Sequence, residues 1–224
     1  NVNEYIVDIC ISPQPDREAP EIEKYIPESG SYVKFGETRK MVTFKLNEPA
    51  VCRYELAPGV PYENMIYLCV SETTGIGPYS CSTELKDLTN PQNNIYIKCN
   101  DSLGNVNIQD TLYVLKQTPT ALDIRDISPS NGTVRKNEVT EADMLYLRAT
   151  TNGGADGNKA VCRYLFAEER FSDRFNFGES VVIHEYKFGF MPQGTHTIKI
   201  HCEDSVKNIA EATILFTMNA DKQA

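Results

Sequence analysis

The sequence predicts an all-β protein made of two tandem β-sandwiches, on three observations. The string Ala-Val-Cys-Arg-Tyr occurs at residues 50–54 and again at 160–164. Apolar and polar residues alternate in short runs separated by turn residues, and cysteines recur at matched places in the two halves. The first string is followed by Ile95-Tyr96-Ile97-Lys98-Cys99-Asn100-Asp101-Ser102-Leu103-Gly104-Asn105. The second is followed by Ile198-Lys199-Ile200-His201-Cys202-Glu203-Asp204-Ser205-Val206-Lys207-Asn208. Both are alternating runs that end in C-x-D-S-x-x-N. Upstream, Pro27-Glu28-Ser29-Gly30 and Pro129-Ser130-Asn131-Gly132 share P-x-x-G. Three markers in one order mean one module used twice. A chain of 224 residues has room for two domains of about 100 residues each. Residues 1–19 are assigned to an N-terminal strand and linker, 20–118 to the first domain and 119–224 to the second.

In chain order, Asn1–Ser12 alternates with Tyr5, Val7, Ile9 and Ile11 on one face, a strand without a sheet of its own. Asn1-Val2-Asn3 before Tyr5-Ile6-Val7 echoes Asn105-Val106-Asn107 before Tyr113-Val114, so the segment resembles the last strand of a sandwich. Pro13–Pro20 is Pro-rich and reads as an extended tether. In the first domain Met41–Leu46, Ile95–Lys98 and Thr111–Leu115 alternate; in the second Met144–Leu147, Thr197–Ile200 and Ala212–Phe216 do so. Pro91, Asn131-Gly132, Asn152-Gly153-Gly154 and Gly194 are turn signals between strands. Alternation turns Cys52, Tyr54, Ile97 and Cys99 inward and sends Arg53 and Lys98 to water.

Seven cysteines fix the redox setting. Neither C-x-x-C nor C-x-x-C-H occurs, which argues against zinc and haem. The repeat places one cysteine in each AVCRY strand and one in each C-x-D-S strand, predicting Cys52–Cys99 and Cys162–Cys202, each expected to join opposed sheets. Cys69 and Cys81 flank the Gly-rich stretch 73–78, found only in the first module, and are expected to staple a hairpin. Cys10 is left unpaired or intermolecular. Oxidised cysteines imply an exported, extracellular protein.

Several further segments carry a family resemblance: Ser29–Val33, Asn47–Tyr54, Cys99–Asn105, Ile127–Val134 and the second AVCRY. Together they resemble the tandem immunoglobulin-like or fibronectin-type-III-like modules of prokaryotic, especially archaeal, cell-surface proteins, over about residues 20–218. The resemblance implies two immunoglobulin-like sandwiches with intra-domain disulfides and an extra N-terminal strand. The chain departs from antibody domains in having no tryptophan, so tyrosine or phenylalanine must fill the core. Lys207 also stands where the first module has Gly104.

Composition narrows function by exclusion. A net charge of −9 and a pI near 4.9 argue against nucleic acid and anionic lipid, which need clustered Lys and Arg. No run of about 18 apolar residues occurs to span a bilayer. The three histidines, His184, His196 and His201, all fall in the second module. His196 and His201 lie on opposite strand faces if they share a strand. No nucleophile elbow, phosphate loop or H-E-x-x-H is present, so no enzyme is expected. No cofactor or metal is expected either, apart from calcium at the module junctions, where Asp16, Glu18, Asp123 and Asp126 lie without a calcium-loop spacing. Asn100 and Asn131 fit the glycosylation pattern.

The expected role is structural. The chain reads as a subunit of an extracellular surface filament, its N-terminal strand adding to a neighbouring copy head to tail with Cys10 placed to lock the joint, or as a stalk segment of a surface protein. Its partners would then be itself or other surface proteins. The rival is an adhesin or ligand-binding module using loop 60–82, with Tyr62, Met65, Tyr67 and Tyr79, as an aromatic-rich loop at the end of a rigid sandwich; the alternative for those aromatics is packing beneath the Cys69–Cys81 hairpin.

Overall fold

The computed structural model describes residues 15–71, 79–132, 134–137, 145–167, 175–176, 180–188 and 191–220. The expected N-terminal strand, with Tyr5, Val7, Ile9, Cys10 and Ile11, lies outside them.

Every extended element is a strand. The first half contains β1 (Ile22–Ile26), β2 (Ser31–Val33), β3 (Lys40–Leu46), β4 (Val51–Glu55), β5 (Ile66–Val70), β6 (Tyr79–Leu85), β7 (Gln92–Asn100) and β8 (Thr111–Gln117). The second contains β9 (Asp123–Ser128), β10 (Val134–Asn137), β11 (Tyr146–Asn152), β12 (Val161–Phe166), β13 (Phe175–Asn176), β14 (Ile183–Lys187), β15 (Gly194–Glu203) and β16 (Ile209–Ala220). A single 3₁₀ turn, Tyr62–Asn64, interrupts them among the described residues.

The two halves repeat one topology. A three-stranded sheet β1-β3-β6 faces a five-stranded sheet β2-β8-β7-β4-β5, and β9-β11-β14 faces β10-β16-β15-β12-β13. In each five-stranded sheet the edge strand after the P-x-x-G turn runs parallel to the last strand of its module. Short, mostly antiparallel strands in two packed sheets define immunoglobulin-like sandwiches. By compactness the chain separates into one unit drawn from 1–29, 41–85 and 94–114 and another drawn from 30–40, 86–93 and 115–224.

The three disulfides join Cys52 to Cys99, Cys69 to Cys81 and Cys162 to Cys202. The expectation that the two repeated bridges join opposed sheets is corrected. Strand β4 pairs directly with β7, bringing Cys52 opposite Cys99, and β12 pairs with β15, bringing Cys162 opposite Cys202. The Cα atoms of each pair are 4.0 Å apart, a close cross-strand spacing within one sheet. The alternation argument had the cysteines inward correctly, but it could not tell a facing strand from an adjacent one.

Buried aromatics occupy the space that tryptophan fills elsewhere. In the first unit Tyr25, Phe44 and Tyr113 have ring centroids 5.0–5.7 Å apart, and the Tyr113 hydroxyl donates to the Pro27 carbonyl. In the second, Tyr164 packs against Phe166, Tyr186 and Phe188, within a core that includes Leu147, Ile198, Ile214 and Phe216. Inward positions alternate along β3 and β15 as the sequence predicts.

One turn imposes a strict glycine. Gly153 has φ +73° and sits so close to Ala121 that a Cβ would lie 2.1 Å from its carbonyl oxygen. Gly157 has φ +70° with open space around it. Gly153→Ala is expected to destabilise the protein by about 3 kcal/mol and Gly157→Ala by about 1 kcal/mol, in thermal melts. Equal shifts for the two would contradict the close approach. Replacing Cys162 and Cys202 together by alanine removes a cross-link spanning 40 residues, which the loop-closure relation values at about 4 kcal/mol. Equilibrium unfolding in urea checks that figure.

Candidate functional site

The outward face of the AVCRY strand carries the densest side-chain chemistry, and it is built twice. In the first unit Arg53 on β4 lies opposite Lys98 on β7, and Asp110, just before β8, pairs with Lys98 at 3.4 Å. In the second, Arg163 on β12 lies opposite His201 on β15, which lies opposite Glu211 on β16. His201 Nδ1 meets the Glu211 carboxylate at 2.9 Å. Each row therefore runs arginine, basic residue, acid.

Segment 59–63 lies across the first row. Asp110 accepts from the Gly59 N–H at 2.7 Å, and Lys98 donates to the Val60 carbonyl at 3.3 Å. Arg53 donates to the carbonyls of Tyr62 and Glu63 at 3.4 and 3.0 Å. Its guanidinium also stands 4.8 Å from the Tyr62 ring centroid, a cation–π distance. The Tyr62 hydroxyl returns to the Val51 carbonyl. Covered in this way, Lys98 is buried and Arg53 half-buried. This corrects the expectation that both point to water. Tyr62 and Met65, nominated as contact residues of a binding loop, are themselves buried. In the second unit Arg163 and Lys199 are exposed, as alternation predicts.

The C-x-D-S-x-x-N hairpins are the second repeated construction. Asp101 Oδ1 accepts from the backbone N–H groups of Leu103 and Asn105, while the Asn105 amide donates to Oδ2. Asp204 does the same with Val206 and Asn208. Gly104 and Lys207 occupy equivalent positions at φ 90° and 71°, so the lysine adopts the glycine's conformation. The first hairpin also holds the tether: Asn105 Nδ2 donates to the Asp16 carbonyl and Asn107 Nδ2 to that of Pro20.

Beside this hairpin the acids gather. One carboxylate oxygen each from Asp16, Glu48 and Asp101 lies within 4.8 Å of the others, a donor set of hard oxygens that could hold a divalent cation. Of the four acids weighed for calcium, Asp16 belongs to this group, and Glu18 packs beside it with its N–H on Asp16 Oδ1. Asp123 is instead bonded to Arg125, and Asp126 accepts from the Thr150 hydroxyl. Sequence reasoning missed Glu48. The available signal was an acid before AVCRY in the first copy where the second has Asn158.

Electrostatics pull the two inner acids apart. Burial, then the charges of Asp16 and Asp101, push the Glu48 carboxyl above the usual range. Burial acts to raise Asp101 too, but the hydrogen bonds from Asn105 and Leu103 outweigh it and hold Asp101 low.

The remaining nominated residues are dispersed. His196 faces inward against Phe216 and His201 faces outward, and no histidine joins a metal-ligating group among the described residues. Asn100 is half-buried at the end of β7, its Oδ1 shielded without a described partner. Asn131 is exposed in its turn, with Oδ1 accepting from the Leu215 N–H. No described helix is long and apolar enough to cross a membrane.

No family model matches the sequence, and no curated protein matches it. Solved structures do. The fibronectin(III)-like modules of Clostridium thermocellum CbhA align at 14% identity and TM-score 0.47, covering 92% of this chain and 96% of that one. DIP-gamma IG1+IG2 aligns at 8% and 0.32, covering 92% and 100%. An I-band fragment of titin aligns at 11% and 0.39, covering 91% and 66%.

The linkage signs of the acid group are opposite. Glu48, raised in the folded state, contributes stability below its unfolded pKa and loses it as pH rises through its folded pKa. Asp101, depressed, contributes above its unfolded pKa and loses that as pH falls through its folded value. Glu48→Gln is therefore expected to raise Tm at pH 7 and to flatten the stability loss on going up from about pH 4.5. Asp101→Ala is expected to lower stability at pH 7 by about 2 kcal/mol. Melts of both variants from pH 2 to 8 check the two signs.

Proposed function

We propose that the chain is a non-catalytic structural segment of an extracellular assembly, a filament subunit or surface stalk, joined head to tail through its N-terminal strand. The observation that supports this most is the anchoring of the tether. Asn105 and Asn107 grip the carbonyls of Asp16 and Pro20, so the tether that follows segment 1–12 in the sequence is held at the first hairpin. A strand carrying Tyr5, Val7, Ile9 and Ile11 on one face has the chemistry to add to the sheet edge of a neighbour. Such an addition is heterologous and propagates. Cys10 would be placed to lock the joint covalently. Three disulfides fit an oxidising location outside the cell. The prokaryotic setting rests on the sequence resemblance alone.

Deleting residues 1–12 is expected to abolish polymerisation while leaving a monomer with an unchanged thermal transition. Sedimentation velocity on the full and truncated chains reads both quantities. Polymers that persist without the segment would overturn strand addition.

A further inference from the structure

Four of the cysteines stand in one line across the first unit. Strand order β7-β4-β5 in the five-stranded sheet puts Cys99 opposite Cys52 on one flank and Cys69 opposite Cys52 on the other. Residues directly opposed on antiparallel strands share a face and have Cα atoms about 4.5–5.5 Å apart, inside the roughly 4.4–6.8 Å that a disulfide spans. Cys52 can therefore bond to either neighbour, and it is bonded to Cys99. Cys69 is instead bonded to Cys81 on β6. That bridge runs from the end strand of the five-stranded sheet to the end strand of the three-stranded one. The second unit has no such line, since the only cysteines after Cys99 are Cys162 and Cys202, which are bonded to each other.

From this line we infer that Cys81 is a covalent acceptor for an external thiol, and that Cys69, Cys52 and Cys99 form a relay that traps the thiol there. The external thiolate attacks Sγ of Cys81, a mixed disulfide forms, and Cys69 leaves as a thiolate. Cys81 is itself buried between exposed Ser80 and Ser82, so this attack waits on local opening of the end strand β6, which costs less than global unfolding. Cys69 then attacks Sγ of Cys52 from the flank opposite Cys99, in line with the bond to be broken. The Cys52–Cys69 bond forms, the Cys52–Cys99 bond breaks, and Cys99 departs as a thiolate that takes up the proton lost by the external thiol. Two disulfide bonds exist before and two after, so the sequence needs no oxidant and no reductant. Its end state keeps the ligand, because the thiol that could expel it is now tied to Cys52. Cys99 lies fully buried in the core, where apolar surroundings raise a thiol's pKa and slow its return attack. The relay works inside one sandwich and stands whether or not the chain polymerises.

The probe is reduced glutathione, added in small molar excess to the full, folded and oxidised chain without air. Samples are acid-quenched, free thiols are alkylated, and unreduced digests are read by mass spectrometry. Glutathione on Cys81, a linked Cys52–Cys69 peptide and alkylated Cys99 are expected to appear together, with Cys162–Cys202 intact as the internal control. The rate is expected to rise about tenfold per pH unit below the ordinary thiol pKa of about 8.5, because the thiolate is the attacking species. Cys81→Ser starts the relay with no external thiol, and alkylation divided between Cys69 and Cys99 is expected. Cys69→Ser is expected to keep Cys99 bonded to Cys52. Alkylation of Cys69 alone in folded Cys81→Ser would overturn the relay. So would glutathione on Cys69, glutathione on Cys81 with Cys52–Cys99 retained, or adducts that form only as Cys162–Cys202 is lost.

Discussion

The structure depends first on the covalent pairing of two adjacent strands within one sheet. Cys52–Cys99 and Cys162–Cys202 tie the AVCRY strand to the strand that leads into the C-x-D-S hairpin. Because the side-chain period of a strand is two, this tie sets register as well as proximity: a slip of one residue would turn every core residue outward. With that register locked, Ile97 and Tyr54 come together in one sandwich and Ile200 and Tyr164 in the other. The arginine of each AVCRY string is thereby sent to the opposite face. A cross-link worth about 4 kcal/mol is a large part of the net stability of about 5–15 kcal/mol typical of a domain, and neither sandwich has a tryptophan to enlarge its core.

Duplication gave the chain two copies of the same constructions, and the copies have taken different roles. The hairpin of the first holds the tether and faces Glu48 and Asp16, whereas Asp204 in the second accepts from the Ala155 N–H instead. One is an electrostatically tense site and the other a satisfied turn. The outward rows diverge in the same way. In the first unit segment 59–63 covers the row, and in the second Arg163 and Lys199 are exposed. The two copies of AVCRY are identical in sequence, so the difference at their arginines lies in what surrounds them.

This explains what was legible in the sequence. Repeats and period-two alternation report on single strands, so AVCRY, the cysteine placement and the inward faces of Cys52, Ile97 and Cys99 could be read directly. Strand adjacency is a long-range property, and alternation is blind to it, which is why the repeated bridges were expected between sheets and occur within one. Coverage is also non-local: nothing at Arg53 distinguishes it from Arg163, and only the segment at 59–63 decides that one is half-buried. Of the acid group, Asp16 was visible as a charge near a junction. Glu48 and Asp101 became neighbours of it only through folding.

The measurement that tests this account most directly is mass-spectrometric mapping of the disulfides in the purified chain, with free thiols trapped before digestion. Register puts Cys52 opposite Cys99 on one flank and opposite Cys69 on the other, so a rival pairing is geometrically at hand. The account predicts linked peptides for 52–99, 69–81 and 162–202. A Cys52–Cys69 peptide, or free thiol at Cys162 and Cys202 in folded protein, would contradict it.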